Sequence, residues 1–238
     1  MSSNLAAKLR EGTQEVHTMA ENMGFIKCFL KGVVEKKSYR KLVGNFYHIY
    51  SAMEEEMDRH KDHPVVSKIY FPELHRKESL EKDMAYYFGS DWQNTFKPSS
   101  AAKAYIERIK EVGNNAPELL ASHSYTRYIG DLSGGQILKK ITVNAMGLAE
   151  GEGTAFYEFE TITDEKGFKD NYRASLDSAP VDDETAEAIV QEAKDAFGMN
   201  MELFKELEGN LVKAIGQMLF NSLTRRRARG STEVAIAE

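Results

Sequence analysis

The chain has 238 residues, of which 42% are hydrophobic and 29% charged, and it contains five prolines. This composition is typical of a folded, helix-rich protein, and the length favours one large domain. Because 37 acidic residues outnumber 31 basic ones, the chain lacks the basic character of nucleic-acid-binding domains, and we expect no nucleic-acid partner. The lone cysteine, Cys28, excludes an internal disulfide and a multi-cysteine metal site.

The sequence predicts neither a membrane anchor nor a secretory signal. No run of about 18 apolar residues is present, and the start of the chain has no basic segment followed by an apolar stretch. We therefore expect a protein of the cytoplasm or of a similar soluble compartment such as the plastid stroma, and we separately expect a monomer. Its domain is expected over residues 1–223, followed by a flexible basic and polar tail over residues 224–238.

Apolar residues recur at three- and four-residue steps along most of the chain, which predicts helices. No period-two alternation of any length is present, although residues 156–159 are the one stretch where a strand competes. The predicted helices run from Leu5 to about Asn22, Phe25 to Leu30, Ser38 through Met57, Glu78 to Phe88, Ser99 or Ser100 to Val112, Pro117 to near Met146, Asp164 through Arg173, and Asp182 through Leu219. The fold class is therefore all-α, a single-domain bundle of several helices.

Residues with known capping preferences mark the helix ends. Ser38, Ser99 and Asp164 have side chains that accept hydrogen bonds from the free N–H groups of a first helical turn. Gly89 and Gly147 follow the last apolar positions of their helices, where a left-handed residue commonly ends the helix. We expect helices to begin and end at these positions.

Three glycines interrupt the predicted helix in the stretch 125–140. Each of Gly130, Gly134 and Gly135 costs a helix about 1 kcal/mol relative to alanine. At about 100° per residue they share one helix face with Asp131, within an arc of roughly 140°. That face is nearly bare backbone with a single carboxylate, and something flat can lie against it. Close packing of a neighbouring helix, or a kink, explains the glycines equally well from this stretch alone.

His17 lies on the first helix, with Glu21 one turn later and Arg10 two turns earlier. A histidine that binds a metal through one ring nitrogen usually donates its other N–H to a carboxylate or carbonyl, which Glu21 can supply. Arg10 is about 10 Å away along the axis, roughly the distance from a haem iron to its propionates. Taken alone, a helical histidine is more often structural than a ligand.

Lys169 and Arg173, four residues apart on one helix, form a compact cationic pair that can bind a carboxylate. Such a pair is usually an exposed helix face. A functional interpretation of this pair depends on Arg10, which would supply a third cation for binding a ligand with two carboxylates.

Other metal and nucleophile chemistry has little support in the sequence. None of the six histidines has a glutamate three residues earlier, as di-iron helical bundles require. His60 and His63 have the spacing of a weak zinc pair, but the charged residues around them indicate a solvated helix end. No glycine-rich phosphate loop or nucleophile elbow is present.

Three segments together resemble the haem oxygenase family: EVHTMAEN at residues 15–22, YTRYIGDLSGGQ at 125–136 and EAKDAF at 192–197. The resemblance extends over about residues 5–222. It implies haem b, as both cofactor and substrate, held between the first helix and the glycine-rich helix. The implied residues are His17 as the proximal iron ligand with Glu21 behind it; Gly130, Gly134 and Gly135 as the distal wall; Arg10, Tyr125, Lys169 and Arg173 at the propionates; Phe197 and Phe204 at the haem edge; and Tyr50, Arg127 and Asn200 in a distal polar network.

The family's reaction takes in O₂ and electrons and releases biliverdin, Fe²⁺ and CO. The resemblance implies that Asp131 holds ordered water that supplies protons, and that Gly130 and Gly134 let O₂ bend toward one edge of the ring. A non-catalytic haem carrier or sensor would need His17 and the cations but has little use for Asp131. A helical enzyme of unrelated chemistry is a third alternative, because a fold does not fix a function.

The electron donor follows from a departure at the end of the chain. Microsomal relatives carry a hydrophobic anchor there, whereas this sequence is basic and polar. It therefore resembles the soluble bacterial or plastid-type branch, for which reduced ferredoxin is the expected donor. Ferredoxins are usually acidic, so docking requires a local basic patch, for which Lys27, Lys31, Lys36 and Lys37 are candidates.

Overall fold

The computed structural model describes residues 4–149 and 151–234, and for residues 209–234 it describes the backbone alone. Within these ranges the chain is built from helices and turns without a β-strand, which confirms the predicted all-α class. The helices are α1 (Leu5–Glu21), α2 (Gly24–Leu30), α3 (Lys36–Arg59), α4 (Val66–Ile69), α5 (Lys77–Phe88), α6 (Trp92–Thr95), α7 (Ser100–Asn115), α8 (Leu120–Ser124), α9 (Gly130–Met146), α10 (Glu165–Asp177) and α11 (Asp183–Val234). Short 3₁₀ turns lie at Pro72–Leu74, Pro117–Leu119 and Ala155–Tyr157, and a π-helical turn spans Tyr125–Ile129.

Most predicted helix ends are confirmed. Gly89, with φ of +81°, ends α5, and Gly147, with φ of +62°, ends α9. Both adopt backbone conformations that glycine reaches without a steric penalty. Ser99 caps α7 and Asp164 caps α10, each by accepting a backbone N–H of the first turn, at 3.3 and 2.9 Å respectively.

The predicted cap of α3 is wrong. The helix begins at Lys36 because Glu35, rather than Ser38, takes the capping position. The Glu35 carboxylate accepts the backbone N–H groups of Lys37 at 2.8 Å and of Ser38 at 2.7 Å. Ser38 Oγ donates to the same carboxylate at 2.8 Å, so the serine supports the cap instead of forming it.

α3 forms the centre of the core and packs against α5 and α7. Its predicted apolar stripe is buried, including Tyr50 and Met57. α7 continues to Asn115 instead of ending at Val112. Gly113 lies where α7 crosses α3, and a Cβ there would collide with the Glu56 carboxylate. This glycine therefore leaves room for the Glu56 side chain of the neighbouring helix and does not end α7.

α1, which carries His17, is fixed between α10 and α11. Gly12 faces Val190 of α11 so closely that a Cβ on the glycine would collide with it. At the start of α1, the backbone N–H of Ala6 donates to Asp177 Oδ1 of α10 at 2.8 Å. These contacts set the position of His17 relative to both helices.

An ion-pair cluster around the buried Glu192 carboxylate fixes α11 against α7 and α8. Arg108 donates to the Glu192 carboxylate through Nε at 3.0 Å and Nη2 at 2.6 Å, and His123 Nε2 lies 3.0 Å from the same carboxylate. Burial raises the pKa of Glu192, but its bonds with His123 and Arg108 outweigh burial and bring that pKa to about 2. Glu192 therefore remains an anion that joins three helices.

The backbone of α11 continues to Val234, and residues 235–238 lie outside the described residues. The division into a domain over 1–223 and a tail over 224–238 stays a prediction. The side chains of the predicted apolar run beyond residue 208, up to Leu219, also lie outside the description. In the described part of the chain, no helix combines the length and apolar character needed to cross a bilayer.

Candidate functional site

A cleft between α1, α2, α9 and α11 brings most of the predicted site residues together. Its cavity has a volume of about 210 Å³. The residues that line it are His17, Ala20, Phe25, Ile26, Phe29, Leu42, Phe46, Thr126, Arg127, Gly130, Asp131, Gly135, Leu138, Phe156, Tyr157, Phe197, Asn200 and Phe204. A larger open groove of about 1060 Å³ lies around Glu54 and Arg76, but none of the predicted site residues lines it.

His17 forms the α1 side of the cleft. Its Nδ1 lies 3.7 Å from Glu21 Oε1, the partner expected from the sequence. Its ring meets Phe197 of α11 edge-on, with centroids 5.6 Å apart. Because Nδ1 faces Glu21, Nε2 is the nitrogen that can bind a metal. The edge-on contact with Phe197 restricts rotation of the imidazole and so limits the directions in which Nε2 can point.

The α9 side of the cleft carries a glycine wall. A Cβ built on Gly130 or Gly134 meets no atom within 4 Å, and one on Gly135 makes ordinary contact with Tyr157 at 3.4 Å. Close packing of a neighbouring helix therefore does not explain why Gly130 and Gly134 lack side chains. Gly130 and Gly135 line the cavity, whereas Gly134 is not among the lining residues.

A polar network joins four helical segments at the distal end of the cleft. Tyr50 OH donates to Asp131 Oδ2 at 2.5 Å, and Arg127 Nε donates to Tyr50 OH at 2.9 Å. Arg127 Nη1 donates to Asn200 Oδ1, and its guanidinium lies 4.3 Å from the Phe46 ring centroid. The structure thus brings together Tyr50, Arg127 and Asn200, which the sequence predicted as distal residues, and links them to Asp131.

Burial raises the pKa of Asp131 above its ordinary value, and Arg127, the hydrogen bond from Tyr50 and Arg76 offset this rise only in part. Burial also raises the pKa of Tyr50 well above its ordinary value, so its hydroxyl stays a donor. Burial lowers the pKa of Arg127, but Tyr50 and Asp131 outweigh that effect, and the guanidinium keeps its charge. The carboxylate therefore faces one fixed neutral donor and one fixed cation.

The π-helical turn at Tyr125–Ile129 was not predicted. The expected single helix from Pro117 to Met146 is interrupted here, immediately before Gly130. Such turns are rare and frequently lie at functional sites, because the extra residue changes which side chains share a face. Here the turn carries Thr126 and Arg127, and both line the cavity.

The four predicted propionate contacts lie apart from the cavity lining, at the corner where α1 packs against α10. Burial raises the pKa of Tyr125, whereas Arg173 and Arg10 lower it, so both cations act on its hydroxyl. Arg173 also pairs with Asp170 at 2.8 Å, and Arg10 lies 3.9 Å from Glu11. Lys169 is half-buried on the same helix as Arg173. Arg10, Tyr125 and Arg173 are therefore close enough to interact electrostatically, and Lys169 lies one helical turn before Arg173 on α10.

Sequence reasoning named Phe197 and Phe204 but missed the apolar residues that α2 contributes to the cleft. α2 contributes Phe25, Ile26 and Phe29, and the Phe25 ring stacks on Phe204 with centroids 5.8 Å apart. In the sequence these residues have the spacing of ordinary core, and several of them are in fact buried. The one available signal was the concentration of aromatic residues in so short a helix.

Comparison with known proteins identifies the class of this helical protein. Residues 3–206 match the family model described as haem oxygenase. The chain is 66% identical over 237 residues to haem oxygenase 1 of Synechocystis sp., covering 100% of this chain and 98% of that protein, and 64% identical over 238 residues to haem oxygenase 1 of Nostoc sp., covering both fully. The crystal structure of the Synechocystis haem oxygenase-1 in complex with haem has a TM-score of 0.90 at 65% identity, covering 92% of this chain and 99% of that one. The chain therefore belongs to the haem oxygenase family of enzymes, as the three sequence segments indicated.

Proposed function

We propose that this protein binds haem b between α1 and α9 and opens its ring to biliverdin, with release of Fe²⁺ and CO, using O₂ and electrons from reduced ferredoxin. The observation that carries the proposal is the pairing of His17 on one side of the cleft with Asp131 on a side-chain-free wall opposite. Two related solved structures support haem as the ligand, since both are described as complexes with haem.

The residues of the cleft fit a flat ligand, and the cations at the corner between α1 and α10 suit a ligand with two negative charges. The open space over Gly130 and Gly134 accommodates a planar group. His17 supplies the metal ligand through Nε2 and Glu21 orients it, while Phe197 and Phe204 give apolar contact at the edge. The cations Arg10, Lys169 and Arg173, together with the Tyr125 hydroxyl, bind the propionates.

Bound haem supplies the iron at which O₂ is reduced, and it is also the carbon skeleton that is cleaved. The chain's own contribution is positional. Asp131, fixed by Tyr50, holds water in the cleft and passes protons toward the reacting edge. Arg127, which is bonded to Asn200, holds the Tyr50 hydroxyl in place, and Tyr50 in turn holds the Asp131 carboxylate. A carrier or sensor would gain nothing from this network, which favours the catalytic proposal.

The exposed lysines on and after α2 support an acidic electron donor. Lys27, Lys31, Lys36 and Lys37 are all exposed, and the inner face of α2 lines the cleft. An acidic protein docked on these lysines would approach the haem edge, and complementary charge would steer its encounter. Ferredoxin has this character.

The proposed function predicts one haem bound per chain and its conversion to biliverdin. The test is titration of the purified protein with haem, followed by addition of ferredoxin, its reductase and O₂, with the bilin isomer identified by chromatography. A haem spectrum that persists through reduction and oxygenation, with no bilin formed, would favour the carrier or sensor alternative.

Gly130→Ala is expected to stabilise the haem-free protein and to weaken haem binding. Replacing a helical glycine with alanine gains up to about 1 kcal/mol when nothing obstructs the methyl group, and the new Cβ meets no protein atom within 4 Å. The same methyl group enters the ligand's space. Denaturant unfolding of the haem-free protein and haem titration measure the two effects.

Gly198→Ala is the matched control for this prediction. Gly198 lies inside α11, does not line the cavity, and also has room for a Cβ. Its alanine variant is expected to gain stability without loss of haem affinity. If Gly130→Ala bound haem as tightly as Gly198→Ala, the bare face would not be needed for the ligand.

A further inference from the structure

Asp83 of α5 is a buried carboxylate without an ion-pair partner. The residue is 1% exposed, and no cationic side chain of the described residues lies within 4.0 Å of its oxygens. Burial raises its pKa to about 6, so the carboxylate form still prevails at neutral pH. Because a buried charge is costly unless it is compensated, this position calls for an explanation other than stability.

Both oxygens of this carboxylate accept backbone N–H groups from one short turn. Oδ1 accepts the N–H of Ala155 at 2.8 Å, and Oδ2 accepts the N–H of Phe156 at 2.9 Å. These residues begin the 3₁₀ turn Ala155–Tyr157, and the first N–H groups of a helical turn have no partner within it. Two adjacent donors need two acceptors, which a carboxylate supplies from one side chain. Asp83 therefore caps this turn from a different helix.

The turn is also fixed at its two ends. Tyr87, one helical turn after Asp83 on α5, donates its hydroxyl to Gly153 O at 2.8 Å, just before the turn. At the other end, Gln136 Nε2 of α9 donates to Tyr157 O at 2.9 Å. The turn is therefore held between α5 on one side and the glycine-bearing helix α9 on the other.

The turn places two aromatic rings against the distal side of the cleft. Phe156 and Tyr157 are both buried, and both line the cavity. The Phe156 ring meets the Tyr50 ring edge-on, with centroids 5.4 Å apart, and Tyr50 donates to Asp131 Oδ2 at 2.5 Å. Tyr157 lies beside Gly135, where a Cβ would meet its ring at 3.4 Å. A shift of the turn would therefore change the support of Tyr50 and of the glycine wall.

Asp83 is connected to Asp131 by a short series of direct contacts. The series consists of the two hydrogen bonds to the turn, the ring contact between Phe156 and Tyr50, and the hydrogen bond from Tyr50 to Asp131. Asp83 itself is not among the residues that line the cleft, so it does not touch a ligand bound there. Any effect that it has on such a ligand passes through the turn.

We propose that Asp83 is a positioning residue for ring opening, which holds the Ala155–Tyr157 turn so that Phe156 supports Tyr50 in its hydrogen bond with Asp131. The proposal rests on the function proposed above, because that function gives Asp131 its role. Loss of both N–H acceptors frees the turn from α5 and loosens the support behind Tyr50. His17 and the cations of α1 and α10 are unaffected, so haem still binds.

The test compares Asp83→Ala with Asn45→Ala as a matched control. Asn45 of α3 is 2% exposed, and its Oδ1 accepts the backbone N–H of Ser99 at 3.0 Å, outside the cleft lining. Both variants lose a buried acceptor and are expected to unfold at lower temperature. A misplacement of about 1 Å can slow a reaction about a hundredfold, so single-turnover ring opening per bound haem is expected to slow roughly tenfold to a hundredfold in Asp83→Ala alone.

A second readout requires neither haem nor turnover. The Tyr50 hydroxyl proton lies in a short hydrogen bond to a carboxylate, which moves its NMR resonance far downfield. Loss of this resonance in Tyr50→Phe assigns it. In the haem-free protein we expect it to move upfield in Asp83→Ala and to stay in place in Asn45→Ala. If Asp83→Ala fails to fold, Asp83→Asn takes its place, since asparagine keeps the size of the side chain but has one oxygen in place of two.

An unshifted Tyr50 resonance in the Asp83 variant would overturn the proposal. Equal slowing of ring opening in the Asp83 and Asn45 variants would also overturn it, because the effect would then follow from a general loss of stability. The proposed function fails separately, through absence of biliverdin from the wild-type protein. In that case the Tyr50 resonance still tests the coupling between Asp83 and the distal network.

Discussion

Asp131→Ala is expected to bind haem with nearly wild-type affinity and to lose ring opening. The apolar walls, His17 and the cations of α1 and α10 are unchanged in this variant, so the proposed sources of affinity remain. What is lost is the group proposed to hold water and pass protons. Such groups contribute roughly 10²–10⁴-fold to a rate, so biliverdin formation in a single turnover is expected to slow by at least about a hundredfold.

The structure explains why the carboxylate suits this task. Oδ2 of Asp131 accepts the Tyr50 hydroxyl, which fixes the side chain, while Oδ1 makes no hydrogen bond with the described residues. An oxygen of a fixed carboxylate that borders the cavity is a ready acceptor for water. The charge of Arg127 opposes protonation of the carboxylate, which burial favours.

Asp131→Asn is the matched control. Alanine leaves the Tyr50 hydroxyl without its acceptor, which costs about 1–3 kcal/mol and complicates interpretation. Asparagine keeps an acceptor for Tyr50 but cannot carry the charge. Both variants are therefore expected to accumulate haem and little bilin. An undiminished biliverdin yield in either would refute the proton role, and so would spectroscopic evidence of carboxylate bound directly to the iron.

Local chemistry made much of the fold predictable. Gly89 and Gly147 end their helices because a positive φ has little steric cost for glycine, and the presence of a glycine can be read directly from the sequence. Glu35 and Gly113 show where this reasoning stops. Glu35 caps α3 in place of the predicted Ser38 because its carboxylate accepts two backbone N–H groups at once. Gly113 lies where α7 crosses α3. Both outcomes depend on neighbours that the local sequence does not identify.

The sequence predicted which residues belong to the site, but not the hydrogen bonds that join them. The resemblance gave the identities of His17, Asp131 and Tyr50, but the hydrogen bond between Tyr50 and Asp131 joins residues 81 positions apart. The sequence position of neither residue indicates that this hydrogen bond forms. The burial of Arg76, outside the cleft, was not predicted either, because this residue stands in a charged stretch that is typical of an exposed turn. Its burial arises from the backbone carbonyls that the fold gathers around it.

Geometry tests one of the explanations that the sequence allowed for the glycines, which is close packing of a neighbouring helix. A packing role requires an atom where the Cβ would be, and Gly12 and Gly113 meet that condition against neighbouring helices. Gly130 and Gly134 do not. Sequence periodicity treats all four as interruptions of a helix, because the distinction lies in what faces each residue across space.

His17→Ala is expected to leave haem able to enter the cleft but to abolish turnover. The apolar lining and the propionate contacts remain, so binding weakens without being lost. Of the described side chains that line the cavity, His17 alone offers an imidazole, so the iron loses its nitrogen ligand from the protein. The absorption and electron paramagnetic resonance spectra of the ferric complex are expected to change accordingly.

Glu21→Gln tests the contribution of the Glu21 charge while leaving His17 in place as the iron ligand. The glutamine keeps an oxygen that can accept from Nδ1 but removes the negative charge that makes the imidazole a stronger donor. We therefore expect histidine ligation to persist in this variant, with altered iron reduction potential. Together, His17→Ala and Glu21→Gln distinguish loss of the iron ligand from loss of the negative charge that strengthens it as a donor.

Added imidazole provides the decisive arm of this experiment. Removal of the His17 side chain leaves space beside Phe197, the ring that packs edge-on against the native imidazole. Free imidazole bound there is expected to restore the nitrogen-ligated spectrum and part of the turnover, because the distal network around Asp131 is intact. If His17→Ala showed the wild-type iron spectrum before imidazole was added, another residue would be the ligand. The assignment of α1 as the proximal wall would then be wrong.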